Sequence, residues 1–299
     1  MQDDSTVFRG DTESVKRDFF GGSLIGEEVS AMKHLIIVRG GGELGTATAH
    51  RLHRVGYKVL ILEKARPSAL RREISFSDAV YDGEKTVERV TCVCAENLKT
   101  ALSLISKGKV TMLVDPTGRY VRKFPPHILV NSLDGKEDES RRELPADFRI
   151  GLGAGYCARE DVNCVIETAR SYDLGRIIYN GRCRRWQTEK DVIDDGGFIR
   201  AETAGTFKTP HTISQIFRAG DTIGEIYDDR GQTVPVVTPV DGVLRGIIHD
   251  NYHVAEGMAL AELDPRIAPG NCCLISDKAR CVSGSVLEAI MAFEEGVKP

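Results

Sequence analysis

The sequence predicts an α/β protein in which a doubly wound parallel sheet is followed by a smaller β-rich module. A glycine-rich turn stands between an apolar run and an amphipathic helical pattern within residues 34–56. Strand and helix patterns then alternate to about residue 130, as a parallel sheet with helices on both faces requires. From residue 196 the helical periodicity disappears, and short β runs punctuated by glycine take over.

Composition and charge exclude several classes of protein. The chain has 299 residues, of which 41% are hydrophobic and 28% charged, and its net charge is −4. This balance argues against nucleic acid or an acidic membrane as the main partner. No apolar run reaches the ~18 residues of a membrane span, and the N-terminal residues lack the apolar stretch of a secretory signal. We therefore expect a cytoplasmic protein whose eight cysteines are reduced thiols.

The glycine-rich turn, residues 40–45, has the spacing and the flanking elements of a dinucleotide-binding fingerprint. Gly40 would permit the tight turn, Gly42 would let a pyrophosphate approach the backbone, and Gly45 would let the helix pack on the strand. The free N–H groups at the start of the helix would then bind an anion. A turn whose glycines serve packing alone is the alternative. The predicted cofactor-binding residues here are Gly40, Gly42, Glu43, Leu44 and Gly45.

Charged residues follow the second strand of this unit, which ends at Glu63. An acid at this place typically bonds the ribose hydroxyls of NAD, so Glu63 is predicted to favour an unphosphorylated ribose. Lys64 and Arg66 would instead accept a 2′-phosphate, which keeps NADP open. Arg71 and Arg72 are predicted to face the ligand cleft at the carboxyl ends of the strands, with a solvated surface turn as the alternative.

A second glycine loop, with Gly151, Gly153 and Gly155, follows an apolar run at 148–150. We expect it to open a helix whose inner face includes Val162 and nearby apolar residues. These glycines form either a second anion site or a tight strand-to-helix turn. The pattern further predicts a strand over 87–93 and a helix over 95–107.

An internal repeat occupies the β-rich region. One half is predicted over Thr209 to Ile226 and the other over Thr238 to Leu263, each beginning with Thr-Pro. Paired halves of this kind resemble a biotinyl/lipoyl-type barrel, or barrel-sandwich hybrid, whose carrier members bear a prosthetic group on a hairpin lysine. The corresponding hairpin here, about Tyr227 to Thr233, has no lysine. The resemblance therefore implies a docking or lid module without a covalent prosthetic group.

These boundaries give four segments. An N-terminal extension is predicted over residues 1–33, and a Rossmann-like nucleotide-binding domain over 34–195. The barrel-sandwich hybrid module is predicted over 196–265, and a C-terminal segment over 266–299. The last segment has an amphipathic helix over Ser285 to Glu294 that we expect to return to the first domain, because so short a helix is marginal alone.

Several segments together resemble the YqeB-type family of accessory proteins of the selenium-dependent molybdenum hydroxylase system. The first two segments are residues 37–44 and 69–83, and the most specific pattern is Arg-Arg followed by Val-Tyr-Asp-Gly within 69–83. The third comprises residues 151–156 with 161–162, 166–168 and 174–176, and the fourth is the repeat through 264–266 with residues 275–280. The resemblance implies an accessory or maturation role, with a molybdenum hydroxylase or its cofactor-maturation proteins as partners. It supplies no catalytic residues. The dinucleotide ligand would be NAD(P) or a molybdopterin dinucleotide.

Two other functions stay open, an NAD(P)-dependent oxidoreductase and a scaffold with a vestigial nucleotide fold. Tyr81 and Lys85 match the Tyr-x-x-x-Lys spacing of some dehydrogenases, but the Asp-Gly turn between them indicates a chance match. No metal site is predicted, because the histidine pairs at 50/53 and 249/253 lack further ligands at a recognisable spacing. A homo-oligomer is compatible with the sequence, which does not fix the assembly.

Overall fold

The computed structural model describes residues 35–133, 143–183, 197–228, 230–266 and 268–297. Within them, one large sheet has the strand order β3-β4-β5-β2-β1-β6-β7-β8-β9. The strands from β4 to β8 run parallel, and β3 and β9 are antiparallel at the two edges. The strands are β1 (Leu35–Arg39), β2 (Lys58–Glu63), β3 (Glu84–Val87), β4 (Val90–Cys94), β5 (Val110–Val114), β6 (Ile128–Asn131), β7 (Phe148–Leu152), β8 (Cys164–Ile166) and β9 (Ile177–Ile178).

Helices cover both faces of this sheet, which confirms the predicted α/β class. One face packs against α1 and α5, and the other against α3 and α4. The central strands are therefore buried on both sides, and their sequences are continuously apolar for that reason. The helices are α1 (Glu43–Arg54), α2 (Ala79–Asp82), α3 (Leu98–Ser106), α4 (Arg119–Lys123) and α5 (Asp277–Glu294).

Helices α1 and α5 lie side by side and run in the same direction. Ser276, next to the start of α5, bonds Glu43 at the start of α1, and Tyr57 beyond the end of α1 bonds Glu294. The helix predicted from Ser285 begins eight residues earlier, because the Ser276 hydroxyl caps it by accepting the N–H of Ala279 at 3.1 Å. Both helix N-termini therefore lie at the carboxyl end of the parallel strands.

The β-rich module, residues 197–264, forms two four-stranded antiparallel sheets, β10-β17-β15-β12 and β14-β13-β11-β16. Its apolar side chains meet in a core of their own. The predicted boundary at residues 195 and 196 lies outside the described residues. The strands are β10 (Gly197–Arg200), β11 (Gly205–Lys208), β12 (Ile216–Phe217), β13 (Thr222–Tyr227), β14 (Thr233–Val237), β15 (Gly242–Ile247), β16 (Tyr252–Val254) and β17 (Ala259–Asp264).

The module is an internal repeat with a constant offset of 37 residues. The strands starting at Gly205 and Thr222 correspond to those starting at Gly242 and Ala259, 37 positions later in both cases. Replacing each strand of one sheet by its counterpart reproduces the order of the other sheet. Ser214 (φ 80°) and Asn251 (φ 59°) also correspond, and both have positive φ. The predicted ends of the two halves align at this offset, but the two Thr-Pro pairs do not, because they are only 29 positions apart (238 minus 209).

Two predicted elements are wrong. No helix follows Gly155, because the chain passes through turns into β8, and residues expected on the helix lie in this short strand. The run Cys-Val-Ile is too short for its period to distinguish strand from helix. The strand predicted over 87–93 is a hairpin, since Glu88 (φ 42°) and Arg89 (φ 71°) form a two-residue turn between β3 and β4. The predicted extension 1–33 lies outside the described residues.

No helix in the described part of the chain is both long enough and apolar enough to cross a membrane.

Candidate functional site

The glycine turn lies at the carboxyl end of β1, where the strand order runs to β2 on one side and to β6 on the other. Open α/β sheets bind ligands at such a point. Gly40 has φ +93°, and a Cβ there would lie 3.0 Å from the Leu133 side chain. A Cβ at Gly45 would overlap the carbonyl oxygen of Gly40, so α1 packs against the turn only because residue 45 is glycine.

Gly42 has open space around it instead. A Cβ at Gly42 would have no heavy atom within 4 Å. Gly42 is the N-cap residue of α1, and no side chain caps the helix there. Since the first N–H groups of a helix have no intrahelical partner, those of Glu43, Leu44 and Gly45 are available at the one open position of the turn. This geometry fits an anion such as a pyrophosphate.

Glu63 lies against the glycine turn, with its side chain buried. Its Oε2 atom accepts the N–H of Gly41 at 2.7 Å, and its Oε1 atom accepts the N–H of Lys64 at 2.8 Å. Burial raises the pKa of Glu63, and these two backbone donors partly oppose that shift. The carboxylate thus holds the turn in place, and its bond to a ribose stays a prediction.

Residues 66–82, which we call the strap, pack directly on the glycine turn. The Ser77 N–H donates to the carbonyl oxygen of Gly41 at 2.9 Å. The Thr46 hydroxyl donates to the same oxygen at 2.8 Å and accepts the N–H of Phe76 at 2.8 Å. Phe76 itself is fully buried. Hydrogen bonds to Gly41 and Thr46, which stand on either side of the predicted binding residues 42–45, therefore hold the strap on the turn.

Arg71 of the strap joins the glycine turn to the β-rich module. Its Nε and Nη2 atoms donate to the two oxygens of Glu262 on β17 at 2.7 and 2.5 Å. Its Nη1 atom donates to Glu43 Oε2 at 2.7 Å, and Ser276 donates to the other oxygen of Glu43. Burial opposes the charge on Arg71, but the two carboxylates raise its pKa nevertheless.

Arg71 thus lies beside the glycine turn with carboxylates as its partners, and its contact with a ligand stays a prediction. Arg72 is directed to the module, where its Nε atom donates to the carbonyl oxygen of Ile247 at 2.9 Å. Its Nη1 atom lies 3.8 Å from Asp78. The contacts of Arg72 are therefore with the module and the strap.

Further charges continue from Glu262 into the module. Arg245 Nη1 lies 3.6 Å from Glu262 and 3.4 Å from Asp264. Arg266 also pairs with Asp264, at 3.1 Å. Both carboxylates are buried on β17, so Glu262 has Arg245 as a second cation beside Arg71.

A histidine–aspartate pair between the strap and the module was not predicted. His249 Nε2 lies 3.5 Å from Asp78 Oδ1 without the geometry of a hydrogen bond, and the His249 ring lies 3.9 Å from that of Tyr81. Burial raises the pKa of Asp78 to about 6 and lowers that of His249. The only hint in the sequence is that both residues are titratable, which gave no reason to pair them.

At the second glycine loop, packing explains two of the glycines. A Cβ at Gly151 would lie 2.5 Å from the Tyr156 ring, and one at Gly153 would lie 2.5 Å from the Thr168 hydroxyl. Gly153 and Gly155 both have positive φ. The predicted second anion site required the free N–H groups of a helix after Gly155. No helix begins there, so the loop lacks these donors.

Tyr81 and Lys85 do not share a face. The Tyr81 hydroxyl donates to the carbonyl oxygen of Pro67, and Lys85 pairs with Glu73 at 3.1 Å. Gly83, with φ +84°, turns the chain between them. All eight cysteines are free thiols. Within the described ranges, no group of three or more His, Cys, Asp or Glu side chains could hold a metal ion.

Comparison with known proteins gives one relative in sequence. The chain is 32% identical over 289 residues to YqeB, an uncharacterised protein of Escherichia coli (strain K12). The match covers 95% of this chain and 52% of that protein, so the chain spans about half the length of the curated relative it matches. No protein-family model matches the chain.

Among solved structures, the tRNA threonylcarbamoyladenosine dehydratase TcdA of E. coli, in complex with ATP, matches with 12% identity and a TM-score of 0.32 over 91% of this chain and 92% of that chain. An aspartoacylase family protein of Mesorhizobium loti matches with 11% identity and a TM-score of 0.25, over 78% and 85% of the two chains. Scores this low do not establish a shared fold. The sequence comparison thus shows that the chain is similar to YqeB over nearly all of its own length.

Proposed function

We propose that the chain is an accessory factor in the maturation of a selenium-dependent molybdenum hydroxylase, and that it holds a dinucleotide-bearing ligand on its glycine turn. The ligand would be NAD(P) or a molybdopterin dinucleotide, and the partner would be the hydroxylase or a protein that matures its cofactor. The residue patterns shared with the YqeB-type family, together with the identity to YqeB, support the process. The free thiols of the described cysteines support a cytoplasmic location.

The observation that carries the ligand proposal is the open N-terminus of α1. Gly40 and Gly45 are required by packing, whereas no packing contact requires a glycine at position 42. A glycine at an uncrowded N-cap position leaves the helix N–H groups accessible to a pyrophosphate. Ser, Thr, Asp or Asn would cap the helix better at that position, but each would occupy this space.

The oxidoreductase alternative is less well supported. Its one candidate proton relay, Tyr81 with Lys85, has its two side chains engaged with Pro67 and Glu73. The proposed function therefore predicts ligand binding without turnover.

The β-rich module would act as a docking or lid domain with the architecture of a barrel-sandwich hybrid. Its two sheets, exchanged by the 37-residue offset, support that architecture. The hairpin between β13 and β14 holds no lysine, and no lysine lies between Lys208 and Lys278. An amide-linked biotin or lipoate therefore has no attachment point at the tip of the module.

Calorimetry with NAD, NADP and a molybdopterin dinucleotide tests the ligand, after native mass spectrometry has shown which nucleotide co-purifies. Gly42→Val should abolish binding without unfolding the protein, because a side chain there meets only open space. Gly270→Val is the matched control, since a Cβ at Gly270 also has no heavy atom within 4 Å. The proposal is wrong if Gly42→Val binds the ligand as tightly as Gly270→Val does. A preference for NADP over NAD would reverse the predicted role of Glu63.

A further inference from the structure

We propose that Arg71 is a ligand-operated latch. In the free protein it ties the β-rich module to the glycine turn, and a pyrophosphate on the turn draws it away from Glu262 and loosens the module. This inference rests on the proposed function, because it needs an anionic ligand at the turn. It adds a coupling between that ligand and the position of the module.

The guanidinium group of Arg71 is already placed to contact such a ligand. It pairs with Glu43, which is the first residue of α1 and lies directly after the open Gly42 position. Planar guanidinium groups bind phosphate and carboxylate in the same two-pronged geometry. A pyrophosphate at the helix N-terminus would therefore compete with Glu262 for the same donors. A lysine would not offer this paired geometry.

Both carboxylates that Arg71 would release keep another partner. Glu262 retains Arg245 at 3.6 Å, and Glu43 retains the Ser276 hydroxyl. Removing the cation from a buried carboxylate is strongly unfavourable when nothing else compensates it. Because Arg245 stays beside Glu262, the exchange leaves no bare buried charge.

Besides the Arg71–Glu262 pair, the module and the strap share hydrogen bonds to backbone carbonyl groups, among them Arg72 Nε to Ile247 at 2.9 Å and Arg66 Nη2 to Asn251 at 3.2 Å. Each of these single bonds contributes less than a bidentate guanidinium–carboxylate pair. The Ile247 N–H donates to the carbonyl oxygen of Leu70, and the Tyr252 hydroxyl donates to that of Arg66 at 3.2 Å. His249 meets Asp78 without a hydrogen bond. Loss of the bidentate pair would therefore shift the docked module toward release. Hydrogen exchange at the Ile247 amide would then become faster, because its bond to Leu70 would open more often.

The strap couples ligand binding to the position of the module, because this one segment contacts both the glycine turn and the module. Ser77 is bonded to Gly41 of the turn, while Leu70 and Arg72 are bonded to Ile247 of the module. The segment between them contains only short 3₁₀ turns. A shift of Arg71 toward the ligand therefore moves the residues that hold β15.

The test is hydrogen exchange on the full chain with and without saturating inorganic pyrophosphate or the dinucleotide found to bind. The latch predicts at least tenfold faster exchange of the Ile247 amide in the liganded protein, with no change in β5 of the large sheet. Unchanged exchange at Ile247 in protein shown to be saturated would overturn the latch and leave the proposed function intact. Failure of every one of these ligands to bind would overturn both.

Two substitutions on β17 give a second measurement. Glu262→Gln weakens the contact that the ligand must break, so it should tighten ligand binding about five-fold or more. Asp264→Asn, two residues along and also beside Arg245, leaves the partners of Arg71 in place and should not change the affinity. Equal or weaker binding by Glu262→Gln, relative to Asp264→Asn, would contradict the latch. The exchange experiment decides the question if either variant does not fold.

Discussion

Replacing Gly45 with alanine should destabilise the protein much more than the same change at Gly42, although the two residues belong to one turn. A Cβ at position 45 would overlap the carbonyl oxygen of Gly40 and approach the Ser132 hydroxyl to 3.2 Å. A backbone carbonyl cannot rotate away as a side chain can, so α1 would have to retreat from β1. At position 42 the same methyl group would meet no heavy atom within 4 Å.

The size of the effect follows from two opposing contributions. Alanine is favoured over glycine inside a helix by about 1 kcal/mol. Overpacking costs about 1–3 kcal/mol, or occasionally more, and an overlap with backbone belongs to the upper end of that range. We expect Gly45→Ala to lower the free energy of unfolding by about 2 kcal/mol. Gly42→Ala should cost less than about 1 kcal/mol, because alanine is a poorer N-cap than glycine.

Urea unfolding of both variants, followed by far-ultraviolet circular dichroism, measures the difference. Unchanged slopes would show that the midpoints report stability rather than a change in the exposed surface. If Gly45→Ala unfolds at the same urea concentration as Gly42→Ala, the close approach of α1 to the turn is not the reason for glycine at position 45. The division of the turn into packing glycines and one open glycine would then be wrong.

Three further outcomes are expected. Burial raises the pKa of Asp78 from 3.8 to about 6 in the folded protein. The protonated carboxyl group therefore stabilises the folded state fully below pH 3.8, and this contribution is lost as the pH rises through 6. Wild type should therefore lose up to ~3 kcal/mol over this interval relative to Asp78→Asn, and parallel pH profiles in urea would contradict this. Gly151→Ala should destabilise the protein by about 1–3 kcal/mol, because the added methyl group would clash with the Tyr156 ring. Its affinity for the nucleotide should not change, and a loss of affinity in the correctly folded variant would support the second anion site. The intact mass of protein from a host with active biotin and lipoate ligases should equal that of the bare chain, and an added mass of either group would refute the role assigned to the module.

The sequence was sufficient to predict the strands and turns that are marked by neighbouring residues alone. The apolar runs of β1, β2 and β5 are bounded by turns, and the glycine turn carries its own spacing, so these elements could be predicted. The β3–β4 hairpin could not, because Glu88 and Arg89 adopt positive φ without the asparagine or glycine that usually marks such a turn.

The partners of the arginines could not be predicted, because they come from distant parts of the chain. The sequence associates Arg71 with the carboxyl end of the strands, since it follows β2 closely. Its carboxylate partner Glu262 lies 191 residues away, and no sequence period connects the two. The pairing of Asp78 with His249 likewise depends on how the module docks, which a single sequence does not encode locally.

The parallel arrangement of α1 and α5 has a consequence for biosynthesis. The C-terminal half of α5 buries Val286, Ala289 and Ile290 in the core that α1 shares, yet Glu294 is synthesised 240 residues after Arg54 (294 minus 54). At about 5–20 residues per second, the ribosome needs roughly 12–48 s for that interval. During this time the face of α1 that receives α5 is bare, and Glu43 has no Ser276 to bond. In a nascent chain the apolar face of α1 would therefore stay exposed until α5 has emerged, and the glycine turn would gain its bond to Ser276 only after the β-rich module has been synthesised.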